Sequence, residues 1–224
     1  MSKKAVVLLS GGLDSATALF IAKNRDYQCH ALIFDYGQRH KKEVGFARRI
    51  ARLANCKARV IKFTLPHKAS SLLDKTLKLT QSRKALVING RIPQTYVPAR
   101  NTIFLSFAAS FAEAIGARAI FIGVNSIDFS GYPDCRPKYI KCFNKLLIAG
   151  TKRGSQGKDI KILAPLINMT KAEIIKVGTR LKVPYELTWS CYNGRSSPCG
   201  ACDSCLLRKK GFAQAGAEDP LLRQ

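Results

Sequence analysis

Residues 4–25, "KAVVLLSGGLDSATALFIAKNR", join an apolar, β-branched run to Ser-Gly-Gly and then to a stretch with Ala16, Leu19, Phe20 and Ala22 at helical spacing. The periods predict strand, tight loop and helix. The unit returns as "CHALIFDYG" (29–37) before a helix at about 39–55, as "ARVIKF" (58–63), and as a helix at about 101–115 that leads into "ARAIFIGV" (117–124). Strands that are apolar throughout, alternating with helices, are buried on both faces. The fold class expected is therefore α/β, a doubly wound parallel sheet. With 46% hydrophobic residues, the 224-residue chain has material for one sizeable core and a small annex.

Residues 64–98 break the rhythm, being polar and turn-rich toward "NGRIPQTYVP", and read as an excursion beside the strand ends. Beyond "FSGYPDCRP" (129–137) a helix is expected at about 138–150, then a Gly-rich basic loop "GTKRGSQGKD" (150–159), a short strand "IKILAPL", and a helix at about 170–181. Thr170 with Glu173 three residues on is a capping-box signature for that last helix. Lys3-Lys4 and the following apolar run resemble a signal peptide, but Ser-Gly-Gly and Asp14 interrupt them, and no stretch reaches membrane-spanning length. A soluble, cytoplasmic protein is expected. The formal charge of +24 implies attraction for polyanions. Its carriers are spread along the chain, as in Lys41, Lys42, Arg48, Arg49 and Arg52 or Lys171, Lys176, Arg180 and Lys182, which favours a generally solvated basic surface.

Leu9-Ser10-Gly11-Gly12-Leu13-Asp14-Ser15 is the first stretch with chemistry in it. Backbone amides and a helix N-terminus attract an anion, and glycines permit its close approach. The strand before it, placed at the sheet edge, the hydroxyls of Ser10 and Ser15, and a carboxylate at Asp14 suited to magnesium complete a phosphate site. No Gly-Lys-Ser/Thr ending follows, which disfavours γ-phosphoryl transfer.

Cys191, Cys199, Cys202 and Cys205 fall between positions 191 and 205, with Gly194, Pro198 and Gly200 to turn the chain around one ion. Four thiolates and no open position describe a structural zinc site in a reducing compartment. An iron–sulfur cluster takes the same ligands and is the weaker alternative. The segment 207–212 follows as a helix.

The SGGxDS stretch is similar to the loop of the ATP pyrophosphatase (PP-loop) family, which implies that ATP is held by its pyrophosphate while a substrate oxygen attacks the α-phosphate. Adding "YGQRH" (36–40), "VPARN" (97–101), "GVNSIDFSGYPDCRP" (123–137) and the cysteines, the chain resembles, over about residues 4–212, the 7-cyano-7-deazaguanine synthases of queuosine-precursor biosynthesis. It departs from their pattern at Ala99, where glycine is frequent. The resemblance implies an ATP-binding and substrate domain over 1–185 and a zinc-binding segment over 186–224. It places Asp14, Ser15 and Arg100 in catalysis, Arg39 and Asn101 with the loop on ATP, and Asp128, Tyr132, Asp134 and Arg136 on the substrate. Carboxylates accept the N–H groups of a guanine-like edge, and an aromatic ring stacks on its face. A single histidine near a strand end is as often structural, so His40 is assigned no base role; Cys135 reads as packing, or as a nucleophile.

The activity implied is conversion of 7-carboxy-7-deazaguanine and ammonia to the nitrile through adenylated intermediates, with ATP and Mg²⁺, one structural Zn²⁺ per chain, and a homodimer. Two alternatives stand beside it. A PP-loop enzyme adenylating a tRNA base would use the +24 charge, although no appended RNA-binding domain is evident. A zinc-ribbon nucleic-acid binder would leave Ser10 to Ser15 without a task.

Overall fold

The computed structural model describes residues 3–79, 92–125 and 131–223. Five strands, β1 (Lys3–Leu8), β2 (Tyr27–Asp35), β3 (Lys57–Lys62), β4 (Ala119–Phe121) and β5 (Lys161–Leu163), form one sheet in the order β3-β2-β1-β4-β5. Every pairing is parallel. The helices are α1 (Leu13–Asn24), α2 (Lys42–Leu53), α3 (Arg100–Ile115), α4 (Pro137–Gly150), a single turn α5 (Lys152–Ser155), α6 (Lys171–Arg180) and α7 (Asp203–Ala215).

Alternate side chains of each strand serve opposite faces. Ala5 and Val7 of β1, Ala31 and Ile33 of β2 and Phe121 of β4 join Leu19 of α1, Ile50 of α2, Ile174 of α6 and Phe212 of α7 in one buried cluster. Val6, Leu32 and Ile120 point the other way, to Leu105 and Ala108 of α3 and Phe143 and Leu147 of α4. That double cover is why the strands read as unbroken apolar runs.

Four expectations are corrected. The first strand is central, not at the edge, because the chain winds outward from β1 to β3 and then returns to place β4 on its other side. β2 starts at Tyr27, since Asp26 at φ 60 turns the chain straight from α1 into the sheet; its half-exposed first residues hid the start. β4 stops at Phe121, because Gly123 leaves the ladder to pack on the start of α1. The basic loop holds α5, whose first turn is capped where Thr151 Oγ1 accepts from the Gly154 amide at 3.0 Å. The capping box is present: Thr170 Oγ1 accepts from the Glu173 amide, and the Thr170 amide donates to Glu173 Oε2 at 2.7 Å.

The C-terminal segment is tied down by Arg208, which is 5% exposed. Its guanidinium donates to both carboxylate oxygens of Asp219 at 2.6 and 2.8 Å, to Thr188 Oγ1 at 2.7 Å and to the Tyr185 carbonyl at 3.0 Å. Removing one member of a buried pair strands the other charge. Asp219→Ala is therefore expected to destabilise the protein by about 3–5 kcal/mol, read as a lower urea midpoint at unchanged slope.

Candidate active site

In an open parallel sheet, ligands bind beyond the carboxyl ends of the strands where the strand order reverses. Here that point lies between β1 and β4, and a cavity opens there, lined by Ser10, Gly12, Asp14 and Ser15 after β1 and by Gly123 and Asn125 after β4. Its empty space, counted out to solvent, is about 1180 Å³.

The loop is held in shape by its own groups. Ser15 Oγ accepts from the Ser10 amide at 3.1 Å and donates to the Gly12 carbonyl at 3.0 Å, and Ser10 Oγ accepts from the Gly12 amide at 3.2 Å. The hydroxyls thus build the loop, and the amides of Ser10 and Gly12 serve inside it. What faces the cavity is the start of α1, where helix geometry leaves the amides of Leu13, Asp14 and Ser15 without intrahelical carbonyls. Gly11 lies at φ +85, and a Cβ there would stand 2.3 Å from the Glu43 carbonyl oxygen of α2. Gly123 is as tightly placed, its Cβ position 2.8 Å from the Ser15 amide nitrogen.

Asp14 has a partner that sequence reasoning assigned to the solvated basic surface. Lys171, at the first position of α6 and 8% exposed, donates to both Asp14 oxygens at 2.7 and 2.8 Å. A lysine 157 residues away in the chain thus stands against the loop's carboxylate. Its stem fits because position 211 of α7 is glycine; a Cβ there would meet Lys171 Cγ at 2.3 Å.

Arg100 and Asn101 open α3 on the cavity wall. Arg100 donates to the Tyr36 hydroxyl at 3.2 Å, and burial raises the pKa of that phenol. Ala99, just before them, is at φ 52, a left-handed conformation that explains why glycine suits this position. Asp134, 5% exposed, uses Oδ2 to accept the Asn101 amide at 3.1 Å, so it caps α3 instead of lining the cavity. Tyr132 and Cys135 do line it. Burial first, and then Asp134, push the Cys135 thiol up to about 12, which keeps it neutral and removes it as a nucleophile.

Two residues expected on ligands lie elsewhere. Arg39 spends its guanidinium on the carbonyls of Leu77 and Lys75, at 3.1 and 2.9 Å, and pins the 71–77 segment. Arg136 is exposed just before α4. Asp128 lies outside the described residues. His40 and Glu43 occupy the cavity wall beyond the loop, their Nε2 and Oε2 atoms 3.2 Å apart.

The far wall comes from the cysteine segment, through Trp189, Ser190, Tyr192 and Ser204. The Trp189 amide donates to the Gly11 carbonyl at 2.8 Å, so this segment is bonded to the loop. The sulfurs of Cys191, Cys199, Cys202 and Cys205 lie within 4.8 Å of one another. Backbone amides of Asn193 and Cys199 donate to Cys191 Sγ, and that of Cys202 to Cys199 Sγ, at 3.3–3.4 Å. Among these crowded sulfurs the neighbouring thiols hold the Cys191 pKa down and push those of Cys202 and Cys205 up. The donor set fits a soft, four-coordinate ion. The last helix begins at Asp203, earlier than the 207 expected, because Asp203 suits a helix first turn and brings Cys205 into the cluster on helical backbone.

The sheet order and the Ser-Gly-Gly loop define the class: a PP-loop α/β fold of the adenine nucleotide alpha hydrolase type. Solved structures agree in fold. NMN synthetase from Francisella tularensis aligns at TM-score 0.52 and 18% identity, covering 99% of this chain and 82% of that one. A 4-thiouridine synthetase in complex with RNA and ATP aligns at 0.50 and 19%, covering 96% and 50%. The model of the queuosine biosynthesis protein QueC family matches residues 4–216. The 7-cyano-7-deazaguanine synthase of Nostoc punctiforme is 53% identical over 98% of this chain and 99% of its own length. That of Thermoplasma volcanium is 51% identical over 99% and 91%. The chain belongs to the QueC family.

The packing at Gly11 is directly testable. Gly11→Ala combines a left-handed Ala with overpacking on the α2 backbone, together about 2–4 kcal/mol. The expected result is a lower thermal midpoint and weaker nucleotide binding, whereas Gly45→Ala, at an exposed position of α2 with open space, leaves binding unchanged and raises the midpoint slightly through helix propensity.

Proposed function

We propose that the protein converts 7-carboxy-7-deazaguanine and ammonia to 7-cyano-7-deazaguanine at the expense of ATP. The observation that carries this reading is a single cavity walled by the Ser10–Ser15 loop, the start of α3 and the cysteine segment, in a chain of the QueC family. The α1 amides and the Lys171–Asp14 pair hold the pyrophosphate of ATP, which leaves the α-phosphate toward the α3 side. There Arg100 offsets the charge that develops as the substrate carboxylate attacks phosphorus and pyrophosphate departs. Ammonia displaces AMP to give the amide, and a second adenylation, now on the amide oxygen, precedes loss of that oxygen. Asp14, through the lone pairs that Lys171 leaves, would hold the Mg²⁺ that accompanies ATP, and that ion would supply positive charge at the phosphates.

The heterocycle is assigned to the wall near Tyr132, whose ring offers a stacking face, and Asp128 is assigned its polar edge. Asp134 acts as the positioning residue for Asn101. We assign zinc to the four cysteines, one ion per chain, holding Trp189 and Ser190 against the loop. Four reduced thiols suit a cytoplasmic setting. Among the described residues no helix is long and apolar enough to cross a membrane. A homodimer completes the proposal, supported by exposed Phe107 on α3 and Leu146 and Ile148 on α4.

Incubation with ATP, ammonium and 7-carboxy-7-deazaguanine is expected to give nitrile by mass spectrometry, with AMP and pyrophosphate as by-products. Absence of both amide and nitrile overturns the assignment. Elemental analysis should find one zinc per chain. Its removal by a chelator should abolish turnover and expose the 189–205 segment to protease, while the sheet keeps its circular dichroism; iron in its place would overturn the zinc assignment.

A further inference from the structure

We propose that His40, oriented by Glu43, is the proton acceptor in the step that turns the amide into the nitrile. The inference rests on the synthase reading above and adds to it a residue that the loop, the α3 residues and the cysteines do not supply.

His40 is 4% exposed and lines the cavity. Its Nε2 is 3.2 Å from Glu43 Oε2, and its Nδ1 is buried without a hydrogen-bonding partner among the described residues. Glu43 is itself held, Oε1 accepting from Gln38 Nε2 at 3.3 Å, and Gln38 is fixed by the Phe34 carbonyl and the Tyr36 amide. The Tyr192 ring, 5.6 Å from the imidazole by centroid, covers it from the cysteine segment. A buried polar nitrogen left unpaired costs stability and marks a place for a ligand group. The carboxylate lies against Nε2, which leaves Nδ1 as the nitrogen without a partner and so the one to take up a proton. This is the orienting logic of a carboxylate–histidine pair.

The other described groups on the wall are spoken for. Both oxygens of Asp14 face Lys171, Arg100 is a cation, and the Cys135 thiol and the Tyr36 phenol are pushed away from ionisation. The position of the dyad is equally specific, since the first turn of α2 rests on Gly11 of the phosphate loop.

The step balances without an oxidant or reductant. The amide nitrogen carries two protons. The first leaves as the amide oxygen takes the adenylyl group and pyrophosphate departs. In the second half, the carbon–oxygen bond breaks, AMP leaves with its electron pair, the remaining N–H bond breaks, and its pair becomes the third carbon–nitrogen bond. That proton goes to His40 Nδ1 and then to water, and carbon stays at one oxidation level throughout.

The test is a single-turnover experiment on the full chain with ATP, ammonium and 7-carboxy-7-deazaguanine, following pyrophosphate, amide and nitrile. His40→Asn is expected to slow nitrile formation by about 100-fold or more, the scale of acid–base catalysis. Amide should accumulate, the first pyrophosphate burst should stay within about threefold of wild type, and added imidazole should restore part of the nitrile rate. Glu43→Gln, which keeps the side chain's shape and removes its charge, should show the same partition with a smaller loss, and it carries the reading if His40→Asn does not fold. Nitrile at the wild-type rate in either variant overturns the proposal. So does a loss shared equally by the first pyrophosphate burst and the nitrile without imidazole rescue, which is the signature of a structural role. If wild-type protein makes neither amide nor nitrile, the synthase reading fails and this one with it; an active wild type makes the variants a test of the dyad alone.

Discussion

The ion pair between Lys171 and Asp14 is the contact around which the site is organised. It is neither a surface pair of negligible worth nor a dry one, its side chains being 9% and 17% exposed. Two helices make room around it by leaving side chains out. Position 211 of α7 is glycine to admit the Lys171 stem, and position 178 of α6 is glycine because a Cβ there would overlap the Tyr185 hydroxyl at 1.8 Å. That hydroxyl lies 3.0 Å from Thr17 Oγ1 of α1 and donates to the Ile174 carbonyl of α6 at 3.1 Å. α6 and α1 are thus bonded through one buried phenol, and the ammonium is delivered to the loop from a rigid base. Because α7 begins within the cysteine cluster, a metal there anchors the same helix that seats Lys171.

The loop in turn is prepared before any anion arrives. Ser10 and Ser15 close it internally, Gly11 accepts the α2 backbone, and Trp189 bonds the Gly11 carbonyl. Electrostatic stabilisation is most effective when donors need not reorganise as charge develops. A loop whose hydroxyls were free to turn toward phosphate would have to give up their present bonds. The one that exists keeps its shape and offers the amides of the first turn of α1.

Periodicity made the architecture legible, because strands covered on both faces and helices with caps write their environment into local order. The Thr170–Glu173 box was readable for that reason. Lys171 was not, since a lysine inside "MTKAEI" looks like any solvated helical cation and its partner lies far away in the chain. A signal was nonetheless present: a cation in the first turn opposes the helix macrodipole, and a well-capped helix that carries one there invites a search for a carboxylate. Arg39 misled in the opposite sense. The resemblance put it on ATP, whereas carbonyls 36 and 38 residues onward claim it. Asp134 was expected on the substrate, whereas its bond to the Asn101 amide at the start of α3 depends on an approach between loops that no local pattern encodes.

The same distinction bears on the net charge. A formal +24 suggests nucleic acid when read as a sum, yet among the described residues the charged groups at the cavity wall and just behind it are few: Asp14 with Lys171 behind it, Glu43 against His40, and Arg100 beside Tyr36. A field from many exposed lysines and arginines raises the local concentration of any polyanion and fades within a Debye length. It cannot choose among them. Choice belongs to groups held within hydrogen-bonding distance by buried backbone. The surface charge therefore accounts for the arrival of an anion such as ATP, and the handful of paired side chains accounts for what happens to it.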